Sequence, residues 1–116
     1  MKNNVLIFLL VLFLTACGND DIEKIDGPAC VIERINSIKK APVRNPPAKV
    51  YSYTYNGATV YYIPSYCCDA FSELLDENCN LLCNPDGGLT GGGDGKCTDF
   101  FKNRSNEKLI WTDDRK

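Results

Sequence analysis

The chain has 116 residues, a formal net charge of −2 and no histidine. That length suits one domain of ordinary size, and the missing histidine excludes Ser-His-Asp and Cys-His catalysis as well as His-ligated zinc or haem. A mildly acidic chain without a basic stripe also has no electrostatic footprint for nucleic acid.

Lys2 supplies a positive start, and Val5 to Leu14 is an unbroken apolar run. The run is too short to span a bilayer as a helix and has the length of a signal-peptide hydrophobic region. The tetrapeptide that follows, Leu14-Thr15-Ala16-Cys17, resembles a bacterial lipobox. The resemblance implies that residues 1–16 are a lipoprotein signal peptide. It implies that the Cys17 thiol receives a diacylglyceryl group and the new amino terminus an acyl chain such as palmitate, with residues 17–27 as a polar tether. One acyl chain anchors marginally and several anchor firmly, because each buried methylene contributes about 0.8 kcal/mol. In such signals Gly18, rather than aspartate, after the cysteine implies delivery to the outer membrane, with the domain facing the periplasm or exposed on the cell surface.

Asp26-Gly27-Pro28 reads as a helix start, with Asp26 as the cap and proline in the first turn. Val31, Ile35 and Ile38 then recur at helical spacing, so residues 28–40 are expected to form an amphipathic helix. Pro42, Pro46 and Pro47 end it and make an extended crossing. Residues 49–63 read as a tight hairpin: two alternating segments flank Asn56-Gly57, which supplies the two positive-φ positions of a type I′ turn. That turn sets Tyr55 opposite Ala58, Tyr53 opposite Val60 and Tyr51 opposite Tyr62 on one face. Thr54 with Thr59, Ser52 with Tyr61 and Val50 with Ile63 fall on the other. Residues 68–75 suggest a short helical turn capped by Asp69, residues 99–102 a second helical turn, and residues 108–112 a last strand. A hairpin alone is not stable. The expected architecture over residues 28–116 is therefore a single α+β domain. Its N-terminal helix packs on a small antiparallel sheet, hairpin 49–63 plus strand 108–112, beside a disulfide-stapled, glycine-rich lobe.

With Cys17 lipidated, Cys30, Cys67, Cys68, Cys79, Cys83 and Cys97 remain, an even number in an exported chain, and three disulfides are expected. Their pairing stays open. Adjacent Cys67 and Cys68 are expected to bond to different partners, because a vicinal disulfide is strained, and Cys30 to tie the helix to the C-terminal half. Tyr51, Tyr53, Tyr55 and Tyr62 form an aromatic stripe. Exposed, it would serve as a surface for a protein or glycan partner, since tyrosine combines contact area with a hydroxyl; otherwise it packs beneath the helix. In the glycine-dense segment 84–99, Asp86, Asp94 and Asp99 are candidate ligands for a calcium ion. Their spacing matches neither an EF-hand nor a P-loop, and Asx-turns held by disulfides account for the same residues. The carboxylate pairs Asp69/Glu73 and Asp76/Glu77 lie in solvated segments, so no catalytic residue is assigned and no cofactor is expected beyond possible calcium.

Four blocks carry a wider resemblance: Tyr53-x-Tyr55-x-Gly57 with Val60-Tyr61-Tyr62, then Cys67-Cys68-Asp69, Cys83-x-Pro85-Asp86-Gly87-Gly88, and Gly93-Asp94-Gly95-Lys96-Cys97-x-Asp99-Phe100. Together they resemble a family of small Gram-negative lipoproteins with a cysteine-rich domain of unknown function. The resemblance covers roughly residues 30–112 and implies a single envelope domain; it brings no activity, ligand or catalytic residue. The expected function is a non-enzymatic binding or structural module anchored through Cys17. A calcium-stabilised surface module is one alternative. Another is a small protease inhibitor that presents Lys96 beside Cys97.

Overall fold

The computed structural model describes residues 24–67 and 69–116. Helix α1 (Ala29–Lys40) is followed by strands β1 (Lys49–Tyr55), β2 (Ala58–Ile63), β3 (Glu73–Leu75) and β4 (Leu81–Cys83). The short helix α2 (Phe100–Asn103) and strand β5 (Ser105–Thr112) complete the order. All strand pairs are antiparallel, and the five-stranded sheet runs β4-β3-β2-β1-β5. The α+β architecture is the expected one, with α1 packed on the sheet.

The hairpin has the register that Asn56-Gly57 dictates, with Tyr55 opposite Ala58, Tyr53 opposite Val60 and Tyr51 opposite Tyr62. Asn56 and Gly57 sit at φ 50° and 78°, the left-handed pair that a type I′ turn needs. Strand β5 pairs with β1 and begins three residues earlier than expected, at Ser105. It carries two register shifts, opposite Val50/Tyr51 and opposite Ser52–Thr54. These bulges increase its twist, and Lys108 stands on this edge strand; both features hinder edge-to-edge pairing.

Two expectations are corrected here. Asp26 does not cap α1; Pro28 holds the N-cap position without a side-chain cap bond, and Asp26 instead pairs with Lys108 on β5. Nor do residues 73–75 belong to a helical turn. Glu73–Leu75 is a strand that pairs with β2, with Leu75 opposite Tyr61 and Leu74 opposite Tyr62. The two leucines are adjacent and both buried, on opposite faces of the sheet. A strand achieves this through its two-residue period, whereas one face of a helix does not.

The sheet is covered on both faces. Val31, Ile35 and Ile38 of α1 bury Val50, Tyr61, Ile63, Leu75 and Trp111 on one face. On the other, Tyr53, Val60, Tyr62 and Leu74 lie with Cys83, Cys97 and Phe100, beneath the glycine-rich segment and α2. The four apolar residues Val60 to Ile63 are consecutive and all buried, the pattern of a strand with two covered faces.

Side-chain links fasten α1 at both ends. Cys30 forms a disulfide with Cys79, across 49 residues of sequence, and Arg34 meets Glu73 of β3 at 2.7 Å. At the C-terminal end, the Arg115 guanidinium donates to the carbonyls of Ile38, Lys39 and Ala41 at 3.2, 2.6 and 3.0 Å. Those carbonyls carry the negative end of the helix dipole, and helix-terminal carbonyls have few donors within the helix. Asp113, itself buried, holds Arg115 in place through a 2.7 Å pair.

Phe100 is fully buried and Leu109 is half exposed. Phe100→Ala is expected to destabilise the domain by about 3–5 kcal/mol, and Leu109→Ala by no more than ~0.5 kcal/mol. Urea denaturation of the two variants measures both; equal midpoints would show that Phe100 is not the core of the second face.

Candidate functional site

The tyrosine stripe lies beneath the lobe, packed around Phe100. The rings of Tyr53, Tyr55 and Tyr62 sit 5.5, 5.4 and 5.5 Å from the Phe100 ring, and Phe101 sits 5.1 Å from it. Three of the phenols end on carboxylates: Tyr53 donates to Glu107, Tyr55 to Asp99, and Tyr62 to Asp86 at 2.7 Å. Arg104 lies over the Tyr53 and Phe101 rings at 4.9 Å each. The expectation of a partner surface is therefore corrected at Tyr53 and Tyr62, which are core residues. Tyr51 and Tyr55 are half-buried at the edge of the cluster. The alternative expectation, burial beneath the helix, is corrected as well, because α1 takes the opposite face.

Burial and the acceptors at the phenol tips set the protonation. Burial first, and the Glu107 carboxylate second, push the Tyr53 phenol up to about 12. Burial and Asp86 push Tyr62 above the usual phenol range. The hydrogen bond to Asp99 raises Tyr55 and in turn holds the Asp99 carboxyl below its ordinary value.

The lobe is built on backbone turns. Gly87 and Gly93 have φ of 83° and 70°, and a Cβ on either would run into a backbone carbonyl, of Ala70 and Asn84 respectively. Asp94 accepts from the Asn84 amide at 3.1 Å and the Lys96 amide at 3.0 Å, and these bonds, Lys96 first, lower its pKa. Buried Ser72 accepts from the Asp86 amide and donates to the Asp86 carbonyl, each at 3.1 Å. The candidate calcium ligands Asp86, Asp94 and Asp99 are thus spent on separate donors: a tyrosine, a turn, and a tyrosine with Asn103. The structure does not bring them together, and among the described residues no three or more acidic or cysteine side chains form a metal-sized group. Lys96 is exposed, but its amide is held within the Asp94 turn.

Cys83 and Cys97 form a disulfide that ties β4 to the residues preceding α2. Cys67 is also disulfide-bonded. Cys17, the lipidation candidate, and Cys68 lie outside the described residues.

Residues 36–113 match the family model described as a domain of unknown function (DUF6970). The chain belongs to that family. The matched span contains the whole sheet, the lobe and the Cys83–Cys97 bridge, and begins inside α1, after Cys30. No curated protein and no solved structure matches the chain.

Elsewhere, the structure assembles a cleft that the sequence motifs did not mark, most of it inside the DUF6970 span. The proline-rich crossing 41–48 and residues 64–66 and 70–71 meet beside α1 and β3, around a cleft of about 300 Å³ lined in part by Arg34, Arg44, Tyr66, Phe71, Glu73 and Asn84. Tyr66 and Phe71 are half exposed, at 47% and 49%. The Arg44 guanidinium lies over the Tyr66 ring, 4.1 Å from its centroid. The available signal was composition: an arginine between prolines, and aromatics flanking Cys67-Cys68, sit in segments with no repeating pattern.

Two outcomes follow for the lobe and its phenols. A phenol with a raised folded-state pKa contributes stability that is fully present below the unfolded value and is lost as pH rises through the folded one. The urea midpoint should therefore decline as pH climbs from 10 toward about 12, and decline less in Tyr53→Phe; identical profiles would refute the role of Tyr53. Gly93→Ala should cost more than about 1–3 kcal/mol, since positive-φ strain adds to a backbone collision. A near-neutral Gly93→Ala would mean that the lobe relaxes freely.

Proposed function

We propose that this chain is a lipid-anchored cell-envelope protein of the outer-membrane type. Its domain would serve as a non-enzymatic binding or structural module. The observation that carries the reading is one conjunction: Leu14-Thr15-Ala16-Cys17 directly follows an apolar run, and the domain behind it is disulfide-bonded at Cys30–Cys79 and Cys83–Cys97. Disulfides persist in oxidising compartments, and a lipobox-type signal delivers a chain to one, so two independent features agree on export.

The use of the carboxylates supports a module without catalysis. A general acid at neutral pH needs a raised pKa. Here Asp76, Asp94, Asp99 and Asp113 are all held low by the donors they accept from. They suit a rigid, ionised scaffold. The half-exposed aromatics Tyr66 and Phe71, beside arginines, are the surface that supports binding.

The test is metabolic labelling in a Gram-negative host fed a clickable fatty acid. The chain should take up the label and sediment with membranes, and Cys17→Ser should lose the label and the sedimentation together. Label retained in Cys17→Ser, or none in the unmutated chain, would remove the lipid anchor from this reading.

A further inference from the structure

We infer that the cleft beside Tyr66 is a binding site for an acidic sugar, a pyranose that bears a carboxylate. The inference deepens the binding-module reading and rests on that part of it, independently of the anchor at Cys17. Arg44 is the first ground. It is half-buried and stacked on Tyr66, which occupies one face of the guanidinium and leaves its in-plane N–H edge for a ligand. Among the described residues the ion pairs are Arg34–Glu73, Lys108–Asp26 and Arg115–Asp113, so Arg44 has no carboxylate partner there. The other arginine of the cleft, Arg34, is neutralised by Glu73 at 2.7 Å. Hence the cleft carries one uncompensated positive charge in a chain of net charge −2. A planar fork fixed by stacking is the geometry that grips a carboxylate through two parallel hydrogen bonds.

The apolar wall is the second ground. Tyr66 and Phe71 expose about half of their surfaces, 47% and 49%. The Phe71 ring rests against Gly88, where a side chain would collide with it, so the lobe positions this ring. The C–H face of a pyranose packs on such rings by dispersion and apolar burial. The rim supplies the third ground. Arg34 and Asn84 bring donors and Glu73 brings acceptors around the aromatic wall, and Asn84 is fixed by the bond from its Nδ2 to the Ser72 carbonyl at 2.6 Å. The lining is thus mixed, with charged and amide groups beside two aromatic rings, and precisely placed polar groups are what fix a small ligand's orientation in a site. Mixed donors and acceptors suit several hydroxyls better than the single carboxylate of a peptide terminus.

The purified chain, with its disulfides formed, is titrated by calorimetry with four probes. These are a hexuronic acid tetrasaccharide, its neutral hexose counterpart, and a short peptide with a free or an amidated C-terminus. Saturable binding of the uronate, weakened by added salt and absent for the neutral sugar, is expected. Arg44→Gln and Tyr66→Ala should each weaken it by about tenfold or more, with thermal midpoints unchanged, while Leu109→Ala leaves it intact. Equal affinity for the neutral sugar, binding of the free peptide terminus alone, unchanged affinity in Arg44→Gln, or no saturation by any probe would each overturn the proposal. None of these outcomes bears on the anchor, which the Cys17→Ser labelling tests alone.

Discussion

A sheet whose central strand is apolar on both faces needs two covers, and the described residues offer only one long helix. Phe100 resolves the shortage. It is the largest fully buried side chain among the described residues, and it stands where three tyrosines of the hairpin converge with Phe101. Such ring pairs contribute about 0.5–1.5 kcal/mol each beyond the area they bury. Phe100 is presented by a helix of four residues, which has little stability of its own. What holds that helix is its approach: Cys97 precedes Phe100 by three residues and is bridged to Cys83 on β4, while Arg104 closes over the rings from the other side.

The glycine-rich lobe is the consequence of that arrangement. It must pass close over the sheet to deliver Cys97 and Phe100, and at Gly87 and Gly93 the backbone runs too near neighbouring carbonyls to admit a side chain. With few side chains of its own to bury, the lobe is ordered by backbone hydrogen bonds and by carboxylates that accept from amides and phenols. Asp86, Asp94 and Asp99 act there as hydrogen-bond acceptors that order the lobe. The lobe also positions Phe71 at the cleft, because the absence of a side chain at Gly88 leaves room for that ring.

How much of this was legible depended on whether the determining interaction was local. The hairpin was fully legible, since Asn56-Gly57 commits the backbone to one turn and the turn commits the register. Helix α1 was legible from Val31, Ile35 and Ile38, all of which are buried. The short α2 was legible as a helical turn. Strand β3 was not. Its three residues become a strand through pairing with β2 and burial of Leu74 and Leu75 on opposite faces, and a run this short carries no period. The same limit hid the cleft, whose residues come from α1, β2, β3 and three connecting segments.

By itself the sequence determined the turn, the helix and the α+β class. Each follows from neighbours in the chain, whether a dipeptide's backbone preference or an apolar period. Only the tertiary structure decided which face each cover takes, which cysteines join, and which donor each lobe aspartate accepts from. Those outcomes are settled by what lies across space. Tyr53 and Tyr62 became core because Phe100 arrives from some 40 residues downstream, and Arg44 came to lie on Tyr66 because two irregular segments meet at the end of the sheet where Ile63 pairs with Glu73.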